Sequence, residues 1–133
     1  MEIWIYIAIF IGIDLIILFF VFSKLKKKKF SAAEQKKFST YRQKISSEPD
    51  RAKAVMAADN LLDEVLKKKG YSGSLGEKLK KARPLFSSNN QLWDAHKLRN
   101  RVAHELNASV SANETFQALQ SFKKALKDLG VKI

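Results

Sequence analysis

The sequence predicts an all-α protein: a small antiparallel helical bundle preceded by a single transmembrane helix. Three observations carry this. Ala, Leu, Lys, Glu and Gln dominate after residue 30, and all are strong helix formers. Three Ser-x-x-Glu pairs (Ser31 with Glu34, Ser74 with Glu77, Ser111 with Glu114) have the spacing of a capping box that opens a helix. No segment after residue 30 alternates apolar and polar residues for long enough to make a strand.

The first element is the run IWIYIAIFIGIDLIILFFVF, residues 3–22, apolar except for Asp14. At about 1.5 Å rise per residue it reaches about 30 Å, the thickness of a hydrocarbon core. Trp4 and Tyr6 sit at one end, where amphipathic aromatics favour the interface. A cleaved leader wants a basic start and a small-residue cleavage site, and neither is present, so residues 1–23 are expected to be an uncleaved anchor. Lys24, Lys26, Lys27, Lys28 and Lys29 flank its C-terminal side and no Lys or Arg flanks the other. That asymmetry predicts a single-pass protein with its N-terminus outside and its C-terminal domain in the cytoplasm. The same lysines are expected to lie on the membrane surface, at roughly 1 kcal/mol each against anionic lipid. Asp14, mid-span, costs roughly 2.5–3.5 kcal/mol on insertion scales. Its apolar neighbours outweigh it, or it contacts another membrane helix.

Residues 24–48 read as a basic juxtamembrane segment with a polar linker helix over about 32–46, which lifts the following domain off the membrane. Residues 49–133 read as the helical domain. Pro49 suits the first turn of its first helix, and Gly70 can stop that helix. Ala52, Val55, Met56, Leu62, Val65 and Leu66 have helical spacing along it. A short helix over LGEKLKKAR ends before Pro84. The next spans about 90–106. The last spans about 112–129, with Phe116, Leu119, Phe122, Leu126 and Leu129 on one side. A core of this size is marginal, which favours a dimer.

Charge narrows the function. All 25 Lys and Arg fall at or after Lys24, and two of the 13 acids fall before it, so residues 24–133 carry 25 basic against 11 acidic groups. Such a domain suits polyanions, meaning nucleic acid or an anionic membrane. The chain has no Cys and two His, which argues against a thiolate nucleophile, a disulfide framework or a His-rich zinc site. No metal or cofactor is expected.

Chemistry concentrates in KLRNRVAHE, residues 97–105. Ala95, Leu98, Val102 and Leu106 fall on one face of a helix, and His96, Asn100 and His104 form a polar row on another. Arg99 is turned about 140° from His104 at about 100° per residue, so one straight helix does not aim both at one point. The residue types suit internal cleavage of RNA, which needs a base for the 2′-OH, an acid for the leaving 5′-oxygen and a cation for the phosphate. A His serves as acid or base, Arg grips phosphate bidentately, and Asn orients either.

LRNRVAHE, followed by one more helix, resembles the signature of the HEPN superfamily (higher eukaryotes and prokaryotes nucleotide-binding). AVMAADNLLDEVLKKKGYSG likewise resembles an early helix of such domains. The resemblance covers about residues 49–130 and leaves out the anchor. It implies a metal-independent endoribonuclease that works as a homodimer, its two motifs meeting in a shared cleft. His104 would be the acid/base, Arg99 the phosphate contact and Asn100 the orienting group. Other members bind RNA, nucleotide or protein partners without catalysis, so a non-catalytic module at the membrane is the alternative. The setting implied is a defence or toxin system, with an antitoxin or other protein partner.

Around this motif each residue carries two readings. Asp59 is a structural bridge between helices, the commoner case, or a group that steadies Arg99 or His104. His96 is expected to be a peripheral polar residue, though it shares the row with Asn100. Trp93 packs, or stacks on a base. Lys97 and Arg101 make a solvated face, or hold RNA phosphates.

Overall fold

The computed structural model describes residues 2–27, 29–105 and 107–133, and for residues 24–27 the backbone alone. Six helices follow in order: α1 (Glu2–Lys27), α2 (Ala32–Ser47), α3 (Arg51–Lys68), α4 (Leu75–Lys81), α5 (Asn89–His104) and α6 (Ala112–Asp128), with a 3-10 turn at Arg83–Leu85. Among the described residues there is no strand. Within α1, Glu2–Ser23 is long and apolar enough to cross a membrane, and none of it is buried against the rest of the chain.

Local chemistry sets the helix ends. All three expected capping boxes form: the Ser31, Ser74 and Ser111 side chains accept from the backbone of Glu34, Glu77 and Glu114, whose carboxylates accept from the serine N–H in return. Pro49 lies outside α3. Asp50 caps that helix by accepting from the Lys53 N–H at 3.1 Å. Gly70 and Gly130, at φ 100° and 95°, close α3 and α6. In each case the glycine N–H and the next N–H bond back to the last turn: Gly70 to Lys67 and Tyr71 to Leu66, then Gly130 to Lys127 and Val131 to Leu126.

Four helices wall the bundle in antiparallel order. The start of α2 meets the end of α6, where Gln35 Nε2 donates to the Gly130 carbonyl. Arg101 at the end of α5 pairs with Glu114 at the start of α6. Val55, Leu62, Val65 and Leu66 of α3 are buried to zero exposure and form the centre, with Leu92 of α5 and Phe122 of α6 packed on them. Among the described residues, the core contains none before Phe30.

Two expectations change. The helix expected to lift the domain off the membrane is a wall of it: Phe38 and Ile45 bury one side of α2 in the core. A seven-residue spacing within a polar helix is enough for that narrow contact. On α6, Phe116 points outward at 62 % exposure, while Ala118, Phe122, Ala125 and Leu126 make the buried stripe. Leu106, expected on the apolar face of α5, lies outside the described residues.

Candidate functional site

Asp59 stands on α3 one residue past the buried Ala58, so it turns from the core toward α5 and is 2 % exposed. A carboxylate this deep needs partners. It has two, both from α5. His96 Nδ1 lies 3.0 Å from Asp59 Oδ1, and Arg99 Nε lies 3.2 Å from Oδ2. The second contact is an ion pair without hydrogen-bond alignment, since Arg99 Nε has no hydrogen-bond partner. Asn100 closes a ring: Arg99 Nη1 donates to its Oδ1 at 3.2 Å, and its Nδ2 sits 3.4 Å from His96 Nε2. A carboxylate only accepts, so Nδ1 carries the hydrogen toward Asp59 and Nε2 accepts from Asn100 in that tautomer.

The ring lines one wall of a cleft of about 440 Å³. Asp59, Asn60 and Asp63 of α3 and residues 73–76 at the start of α4 complete it. Gly73 needs its left-handed backbone, φ 101°, and a Cβ there would collide with the Glu77 carboxylate that closes the capping box. Asp63 pairs at 2.7 Å with the buried Lys78 and ties α4 to α3.

The remaining expected site residues divide. Arg99 and Asn100 face the cleft. His96 is 9 % exposed and part of the ring, so the expectation of a peripheral polar residue is corrected: Asp59 across the helix interface draws its ring inward. Trp93 is half-buried, packed on the core with its ring edge-on to His96 at 5.8 Å. Lys97 is exposed. Arg101 donates to Glu114 at 2.7 Å. The backbone N–H of Ser111, and Arg101 beside it, hold the Glu114 carboxyl below its usual range. His104 is the last residue of α5, exposed and outside the cleft. Of the lysines expected on the membrane surface, Lys29 is exposed, and the side chains of Lys24, Lys26, Lys27 and Lys28 lie outside the described residues.

Asn60, Asp63 and the loop before α4 are parts of the cleft that the sequence reading missed. The available signal was the GYSGS turn running into a capping box, which brings backbone close to α3. No family model matches the chain, and no curated protein or solved structure matches it either.

Proposed function

We propose that the chain is a membrane-anchored HEPN-like protein that cuts RNA without a metal at the cytoplasmic face of the membrane. The observation that carries this reading is the Asp59–Arg99 pair. It holds the one arginine of the cleft in place beside Asn100, one helical turn before an exposed His104. Arg99 and Asn100 take a phosphate of the RNA. His104 removes the 2′-OH proton, the 2′-oxygen attacks phosphorus, and the 5′-oxygen leaves with a proton from a second acid. The same His of a second copy is that acid, so the active form is a homodimer. A defence or toxin system, with a protein that restrains the activity, is the setting this chemistry suits.

A second reading is a non-catalytic module that binds RNA, nucleotide or a protein partner. It is favoured by the place of His104 outside the cleft and by the Arg101–Glu114 pair, which occupies a cation within the motif. One comparison separates the two. Residues 30–133, which contain every core residue among those described, are incubated with single-stranded RNA in EDTA beside Arg99→Ala and His104→Ala. Cleavage lost in both variants supports the first reading. Salt-sensitive RNA binding without cleavage supports the second and sinks the first.

A further inference from the structure

The bundle carries its charge at one end. At the ends of α3, α4 and α6, Lys67, Lys68, Lys80, Lys81, Arg83 and Lys127 are all exposed. The acid in those segments (65–69, 79–85 and 125–133) is Asp128, which accepts from Ser87 N–H and Oγ, and the start of α2 at the same end adds Glu34 against Lys36 and Lys37. The opposite end is balanced: Glu48, Asp50, Glu105 and Glu114 stand there against Lys44, Arg51, Lys53 and Arg101.

The charged end is the one tied to α1. Phe30 follows α1 by three residues and is fixed to the bundle, its ring edge-on to Phe38 at 5.1 Å with the Lys69 ammonium 5.3 Å above it. The three residues from the end of α1 to Phe30 reach at most about 11 Å, so the end of α1 lies close to the bundle. The α5 end that bears His104 lies at the other pole of the bundle, where α6 begins.

We propose that the folded domain docks this basic end onto anionic lipid headgroups and stands upright, with His104 turned away from the membrane. The partner is a lipid surface, because the charge gathers where the chain meets α1 and thins toward the pole that bears His104. This orients the proposed ribonuclease and rests on α1 crossing the bilayer, but it holds whether or not the domain cuts RNA. It extends the membrane contact beyond the lysines at 24–29 to residues 40 to 100 positions further along the chain.

The test uses the full chain in vesicles of phosphatidylcholine, with or without phosphatidylglycerol. The sequence has no Cys, so Lys80→Cys or Ala103→Cys gives one labelled position each. The readout is quenching of a fluorophore there by headgroup-labelled lipid. Phosphatidylglycerol is expected to raise quenching at position 80 several-fold over position 103. Raising salt from about 0.01 to about 1 M, which shortens the screening length from about 30 to about 3 Å, abolishes the gain. So does the triple change Lys67→Glu, Lys68→Glu, Lys127→Glu, without loss of helix content. Equal quenching at both positions, or the same quenching in both vesicles, overturns the docking. Displacement of the docked end by single-stranded RNA that the triple variant no longer binds reassigns it to nucleic acid and also overturns it. A chain that floats with neither vesicle overturns the membrane span itself, and the docking with it.

Discussion

Asp59→Asn is the sharpest perturbation of the Asp59–His96–Asn100–Arg99 ring. The change keeps shape and one acceptor but removes the charge that pairs with Arg99 and takes the His96 hydrogen. Breaking a fully buried ion pair costs about 3–5 kcal/mol, and leaving a buried polar group unpaired costs about 1–3 kcal/mol. The His96 side chain is 11 % exposed, and that of Arg99 27 %, so the guanidinium recovers part of its hydration. The expected loss is therefore about 2–3 kcal/mol, toward the lower range. For a domain of this size that lowers Tm by roughly 10–20 °C. Urea and thermal unfolding of residues 30–133 measure it. Trp93 is the one Trp in that fragment, and its ring touches His96. An Asp59→Asn variant within about 0.5 kcal/mol of the parent, the range of an ordinary surface change, refutes a stabilising role for the ring.

Other outcomes follow from the same packing. Leu66→Ala, at zero exposure in the last turn of α3, is expected to cost about 2–5 kcal/mol in urea unfolding. His104→Ala, at an exposed helix end, is expected to leave Tm unchanged while lowering RNA cleavage about 10²-fold or more, which separates chemistry from folding. Ser74→Ala is expected to cost about 1 kcal/mol by uncapping α4, with faster amide exchange in α4 as the sign. Glu114 is held below its ordinary value near 4.5 mainly by the Ser111 N–H. Its contribution is full above that value and fades as pH falls through the lowered one. Glu114→Gln should flatten the acid side of a stability-versus-pH curve.

The capping serines, the Gly70 stop and the apolar run of α1 were legible because each acts through neighbours a few residues away. Asp59 was legible as a bridging acid because it interrupts the apolar positions of α3. Its partners were less so. The helical wheel set Arg99 apart from the Asn100–His104 row, but a long side chain and a carboxylate on another helix bring Arg99 to Asn100. His96 was misread for the same reason: its burial depends on Asp59, 37 positions away. The role of α2 was hidden because two residues, Phe38 and Ile45, carry its contact.

The central claim is a metal-free site completed by two copies. Its most direct test is RNA cleavage in EDTA by Arg99→Ala, by His104→Ala and by an equimolar mixture of the two, beside the unaltered chain. The account predicts cleavage by the unaltered chain and loss in each variant alone and in the mixture, because a mixed dimer holds one His104 where the reaction uses two. No cleavage by the unaltered chain, or cleavage that survives either substitution, contradicts it.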